Sequence, residues 1–356
     1  MEGSSLDIII FAPLAAILGV LLFWFIKLLL IESQKYFLDR IRSKHEPLCR
    51  FTNFLGILFQ TICHALGYTV TKSGISDVYI SVNYGKVAPK KEKKGIFEWI
   101  SNAFLFIGPF FIPAFLLLIC LFLLIPGLFQ IKVPIEIINL EYTFAGQLIS
   151  FGANLHLFSQ KFFIFLVNID LLHPGHFGFL LLLIFLGMGI RPSYIGEKKI
   201  DRVDLIYDLN NVWQLITHKP LYLLILLLLS YNFFYISLIF DQSWYTILFS
   251  IFGFLSIISI VAIVIAHLII FLIKATDSIE GKKRFLPYVF LPFSYLLMRL
   301  LFYYVPVDYA NAVSLLVMIL STFLMTLFIL KKGDTFKSKL SIKRRDKKSK
   351  EGKDER

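Results

Sequence analysis

A histidine and a tyrosine stand one helical turn apart in the run Cys63-His64-Ala65-Leu66-Gly67-Tyr68. Zinc sites of the His-Glu-x-x-His kind use this spacing to set two imidazoles on one helix face. The glutamate beside the first imidazole takes a proton from the metal-bound water. Here His64 fills the place of the first ligand, Ala65 stands where the base would be, and Tyr68 replaces the second imidazole. Alanine carries no proton, and a phenol with an ordinary pKa of about 10 is a poor zinc ligand at neutral pH. The spacing is kept and the chemistry is not. No intact catalytic set is expected, and His64 and Tyr68, sharing a face, are expected to make a polar contact. A histidine bonded to a neighbouring helix's carbonyl is the simpler reading of His64. Cys63 lies one position off that face and reads as a packing residue.

Other polar groupings are weaker. His173-Pro174-Gly175-His176 offers two imidazoles, but Pro-Gly between them makes a turn, and no acidic residue adjoins. Glu197, Asp201, Asp204 and Asp208 recur at intervals of three and four, so Asp201, Asp204 and Asp208 would share one helix face. Lys198, Lys199 and Arg202 interleave with them, which predicts a solvated, internally neutralised helix. His267 lies within an apolar span and reads as a buried packing histidine. Cys49, Cys63 and Cys120 show no CxxC spacing, so neither a disulfide framework nor a cysteine zinc cluster is indicated. Catalytic serine arrangements, phosphate-binding glycine loops and dinucleotide fingerprints are not visible.

The elements that must hold these residues are set by composition. Of 356 residues, 57% are hydrophobic and 17% charged, against about a quarter charged in soluble domains. Apolar runs of spanning length cover residues 8–30, 103–128, 221–240, 245–273, 285–304 and 310–330. Residues 51–70, which carry His64, and 177–190 are further membrane segments, giving about eight in all, and 151–172 reads as amphipathic or re-entrant. Backbone groups in hydrocarbon must be satisfied internally, so these runs are helices and the class is all-α and polytopic. The first is a retained helix and not a signal peptide, having no basic n-region and no small-residue cleavage site. Pro287 and Pro292 predict a kinked span in which Arg299 faces protein or snorkels.

The net charge of +12 is concentrated at the end: residues 331–356 hold 12 basic and 5 acidic residues. Beside a membrane such a run predicts an unfolded cytoplasmic tail that meets anionic lipid headgroups, in preference to nucleic acid or ribosome contact. Lysine and arginine in the short loops then place 274–284, 191–219, 86–94 and 35–50 inside and the acidic N-terminus outside. Both flanks of 51–70 thus fall inside, and one crossing is missing. Residues 76–87, with DVYISVNYGKV following Ser76, alternate with β-branched and aromatic residues and predict a hairpin. A hairpin re-entering at membrane depth, lining a cavity beside His64, is the expected remedy.

The run Phe59 to Tyr68 resembles the helix of site-2-protease-like intramembrane zinc metallopeptidases, whose motif takes the form HELxH or HExGH. The order of the segments downstream is also similar. A hairpin ends in Tyr84-Gly85-Lys86-Val87, Ile107-Gly108-Pro109 opens a long apolar helix, and Gly187-Met188-Gly189-Ile190-Arg191-Pro192-Ser193-Tyr194-Ile195-Gly196 resembles a proline-serine segment that in that family ends with aspartate. In this chain Gly196 stands at that place. The resemblance covers about residues 51–210. It divides the chain into an N-terminal helix and loop (1–50), the core (51–210), a four-helix region (211–330) and the basic tail (331–356).

The resemblance implies a fold and a cavity around His64, Tyr68, Tyr79, Tyr84, Pro192 and Ser193, with His64 and Tyr68 near Pro192 and Ser193. With the base and the second imidazole replaced, it implies a catalytically degenerate relative without cofactor. Such a protein would bind a transmembrane or extended peptide partner, for which the hairpin offers strand addition. Two other classes stay open. One is a zinc-dependent protease drawing ligands from His64, His173, His176 or Asp201; the other is a carrier or channel, which the scarcity of charge in the last four helices disfavours.

Overall fold

The computed structural model describes residues 5–125, 142–197, 200–279, 281–305 and 307–331. The tail beyond Lys331, and Lys198 and Lys199, lie outside the described residues. A π-helical turn, Asp7–Phe11, leads into α1 (Ala12–Ile41), followed by α2 (Glu46–Val70) and the antiparallel pair β1 (Ile75–Ile80) and β2 (Gly85–Pro89). Helices α3 (Ile96–Phe106), α4 (Gly108–Leu124), α5 (Phe144–Val167) and α6 (Pro174–Gly189) come next. A short pair, β3 (Tyr194–Ile195) and β4 (Asp201–Arg202), precedes α7 (Leu205–His218), α8 (Pro220–Ile239), α9 (Trp244–Thr276), α10 (Leu286–Tyr304) and α11 (Ala310–Lys331).

This is an α-helical integral membrane protein. Among the described residues, five stretches are long and apolar enough to cross a bilayer: Asp7–Ile41, Pro220–Ile239, Trp244–Thr276, Gly281–Tyr304 and Ala310–Lys331. They coincide with five of the six apolar runs read from the sequence. The sixth, 103–128, is not one straight helix, because α3 and α4 meet at a 69° bend. Proline explains the break: Pro109 has no N–H to continue the ladder of α3, but fits the first turn of a new helix at α4. The expected helix at 151–172 begins earlier, at Phe144.

The chain forms two compact units. Unit 1 comprises Met1–Ile164 and Leu171–His267, and unit 2 comprises Phe165–Asp170 and Leu268–Arg356. In unit 1, close helix approach depends on small residues, as in membrane bundles generally. A Cβ on Gly187 of α6 would collide with the Ala262 carbonyl of α9 and sit 3.1 Å from Ile263 N. Phe158 of α5 stacks on Phe254 of α9 at 4.4 Å between ring centroids, and Asn154 Nδ2 donates to Ser250 Oγ across the same pair at 3.1 Å. His267 is half-buried, with Nδ1 2.9 Å from its own helix's Ile263 carbonyl and Nε2 3.3 Å from Ser33 Oγ. In unit 2, Arg299 of α10 pairs with Asp170 at 3.2 Å, and Tyr295 donates to the same carboxylate at 3.1 Å. Arg299 therefore faces protein, one of the two placements expected for it.

The carboxylates at 197–208 depart from expectation. Asp204 is the N-cap of α7, its Oδ1 accepting from Tyr207 N at 2.8 Å, so the helix starts at Leu205 and Asp201 lies upstream in β4. An aspartate that can satisfy an orphan amide ends the helix it would otherwise extend. The three aspartates share no helix face, and Asp208 is buried, not solvated.

Candidate functional site

Helix α2 carries a polar stripe at Asn53, Thr61, His64 and Tyr68, with Ile57 between. The intervals of three and four residues set all five on one face. The hairpin lies along this face and is fixed to it at three levels. At its tip, Asn53 Nδ2 donates to the Val82 carbonyl at 2.7 Å. At mid-length Gly85 abuts α2, where a Cβ would collide with Thr61 Oγ1 and stand 2.9 Å from Ile57 Cγ2. At its base, Ser73 N donates to the Tyr68 carbonyl at 2.9 Å. Gly74, with φ +67°, supplies the left-handed turn into β1.

Both hairpin ends sit at the C-terminal end of α2, joined by Lys90 N to Gly74 O at 3.1 Å. The basic residues of 40–50 and of 86–94 therefore flank opposite ends of α2.

His64 and Tyr68 lie side by side as their spacing sets them, with ring centroids 4.5 Å apart at 35°, a ring contact in place of the polar one expected, and both are half-buried. Tyr79 and Tyr84 lie together on the hairpin at 6.2 Å. Pro192 and Ser193 also pack on α2, but nearer its start. Ser193 N donates to Asn53 Oδ1 at 2.8 Å, and a Cβ on Gly56 would lie 2.6 Å from Pro192 Cα. Eight residues separate Gly56 from His64, about 12 Å of helix. The six residues expected around one cavity are thus strung along α2, with Pro192 and Ser193 apart from the His64–Tyr68 pair. Cys63 is fully buried against Gly108, as its position off the stripe predicted.

His173 and His176 face each other at 4.6 Å between ring centroids, and His173 caps α6, its Nδ1 3.4 Å from His176 N. Among the described residues, no group of three histidine, cysteine, aspartate or glutamate side chains is placed to hold a metal. Asp201 is exposed.

Asn53 is the hub that sequence reasoning missed. Besides Val82 O and Ser193 N, it bonds Tyr194 N (2.9 Å) and Tyr194 O (3.0 Å), so one amide joins hairpin tip, proline-serine segment and α2. Gly196 N adds a bond to Asn83 O at 2.9 Å. Tyr194 donates to Asp39 at 2.8 Å, with the Arg42 guanidinium 4.4 Å from its ring. Burial first, then donation to Asp39, pushes the Tyr194 phenol above its ordinary value, so it stays a neutral donor across the physiological range. Asn53→Ala orphans backbone groups on two segments at once and should cost about 1–3 kcal/mol. The loss should be local: faster amide exchange at 81–84 and 193–196 with α8 and α9 unchanged.

Two further features escaped the sequence reading. Arg191, counted from sequence as a loop cation, is buried and paired with Asp208 through Nε (3.0 Å) and Nη2. Lys27, one lysine in an apolar run, is fully buried, its Nζ donating to the Phe110 carbonyl at 3.1 Å and lying 3.8 Å from the Phe111 ring centroid. An ionisable residue in a spanning helix was itself a signal.

No protein-family signature, characterised protein or solved structure matches this chain.

Proposed function

We propose that this protein is a membrane-embedded binding protein, a catalytically degenerate relative of site-2-protease-like intramembrane metallopeptidases, that takes an extended segment of a transmembrane partner on β1. The carrying observation is the outer edge of β1. The sheet has two strands, β2 lies nearer α2, and Val78 and Tyr79 are about half exposed. Ser81 N donates to Tyr84 O, which fixes the hydrogen-bonded pairs at 81/84, 79/86 and 77/88. In an antiparallel pair these alternate with non-bonded pairs, so the amides of Val78 and Ile80 point outward. An unpaired strand edge is a template for strand addition, and side chains at alternate positions give selectivity. The same helix face presents His64 and Tyr68 without a base, which supports binding over hydrolysis.

In this reading α2 and α6 join the five long spans and the bent α3–α4 pair to give about eight membrane segments. The hairpin is buried at membrane depth, and the basic tail is cytoplasmic at the headgroups.

The test is photo-cross-linking in native membranes from a benzoyl-phenylalanine at Tyr79, with Leu123, 75% exposed on α4, as control. Tyr79 should give a discrete adduct that Leu123 does not. Val78→Pro removes an outward donor and leaves the β1–β2 ladder intact, and should reduce the adduct about three- to tenfold. An adduct shared by both positions, or indifferent to Val78→Pro, would count against strand addition.

A further inference from the structure

A second surface, independent of the strand edge of β1, lies where α2 ends and α3 begins. Residues 72 and 90–94 bring together five lysines, Lys72, Lys90, Lys91, Lys93 and Lys94, against one carboxylate, Glu92. They stand on a fixed backbone. Lys90 N donates to Gly74 O and Lys91 N to Ser73 O, each at 3.1 Å, which closes the hairpin base over the last turn of α2. Lys93 is spent on the fold: its Nζ donates to the Thr71 carbonyl at 2.5 Å, at the negative end of the α2 dipole, and lies 4.7 Å from the Phe97 ring centroid. Among the described residues, the other four lysines are exposed and enter no ion pair. Like charges held this close repel one another, and counter-charge from outside the chain relieves the repulsion.

The neighbouring helices set the depth of this cluster. Ile96 and Phe97 open α3 with exposed apolar side chains. The next turn holds α3 against the junction of α7 and α8. Trp99 Nε1 donates to Leu215 O at 2.9 Å, Glu98 pairs with Lys219 at 3.8 Å, and Trp99 meets Tyr222 edge-on at 6.1 Å between ring centroids. Lys219 is the residue before α8, a helix of spanning length whose apolar surface is exposed from Leu221 onward. The first turn of α3 and the lysines beside it therefore stand where a span enters the bilayer, which is the level of the headgroups.

We propose that Lys72, Lys90, Lys91 and Lys94 bind the headgroups of anionic phospholipids, with Ile96 and Phe97 set into the acyl boundary beside them. Charge complementarity carries the choice of an anionic ligand. The apolar pair carries the choice of a lipid over a soluble anion, which would leave Ile96 and Phe97 in water. Position at the mouth of a span favours lipid over an acidic peptide, because the bilayer is already there.

The test places benzoyl-phenylalanine at Phe97 of the full chain, in nanodiscs of phosphatidylcholine with a minor fraction of phosphatidylserine, and identifies the photo-adducts by mass. The adducts should be lipid, with phosphatidylserine enriched about fivefold over its share of the bilayer, the factor one lysine contributes at an anionic surface. The same probe at Leu228, exposed midway along α8, should report the bulk ratio. Lys90→Gln, Lys91→Gln and Lys94→Gln together remove three exposed charges and leave Lys93 on Thr71. They should return Phe97 to the bulk ratio without lowering the yield of lipid adduct, and raised salt should act in the same direction. Phosphatidylserine in bulk proportion at Phe97, enrichment that survives the triple substitution, or no lipid adduct at Phe97 would each overturn the proposal. So would a discrete protein adduct in place of lipid in native membranes, which would assign the surface to an acidic partner.

Discussion

Replacing Asp208 with alanine is expected to destabilise the protein by about 3–5 kcal/mol, the cost of leaving a buried guanidinium without its partner. Arg191 has a side-chain exposure of 1% and Asp208 of 3%, so water cannot replace the lost carboxylate. The pair also ties α7 to the chain end of α6, and its loss should free α7 before the rest of unit 1. Denaturant melts in a membrane mimetic would read the first effect. Faster exchange at residues 205–218, ahead of α5 and α9, would read the second. The control is Arg191→Met with Asp208→Leu, which removes both charges at similar volume and should recover most of the stability, since a paired buried charge contributes little beyond an apolar pair. A single variant as stable as the parent would show that the pair is not buried as described.

Gly56→Val is expected to cost about 3 kcal/mol or more, at the upper end for overpacking. The first added carbon would lie 2.6 Å from Pro192 Cα and 2.7 Å from the Arg191 carbonyl carbon, all backbone atoms. Backbone cannot swing aside as a side chain does, so α2 and the proline-serine segment must separate. Asn53, three residues earlier, then loses Ser193 and Tyr194 together. Thermal melts should show the loss. A double variant with Asn53→Ala should be less than additive, since both changes break one junction. Full additivity would mean the two residues hold different contacts.

What was legible in the chain was whatever local pattern sets. The long spans α1, α8, α9, α10 and α11 follow from uninterrupted apolar runs, since no other backbone form is stable in hydrocarbon. The alternation in 76–87 gave the hairpin because period two is a strand's own geometry. The i, i+4 interval of His64 and Tyr68 gave their contact. The bend at Ile107 does not interrupt the apolar run that begins at Ala103, and only Gly108-Pro109, where the resemblance opens a helix, marked it.

Long-range pairings were not legible at all. Asn53 and Tyr194 are 141 residues apart, and an asparagine early in a helix looks like many others. Arg191 looked like a topology-setting charge because loop arginines usually are, yet it is inside the core. The aspartates of 201–208 were misread because periodicity alone does not show where a cap interrupts it.

The central claim is that the His64 face serves binding and not metal-dependent hydrolysis. Its most direct test is zinc content after equilibrium dialysis of purified protein against buffered zinc, with and without His64→Ala. Zinc far below one per chain, unchanged by the substitution, is the predicted result. Stoichiometric zinc that disappears in His64→Ala would contradict it and restore the metallopeptidase reading.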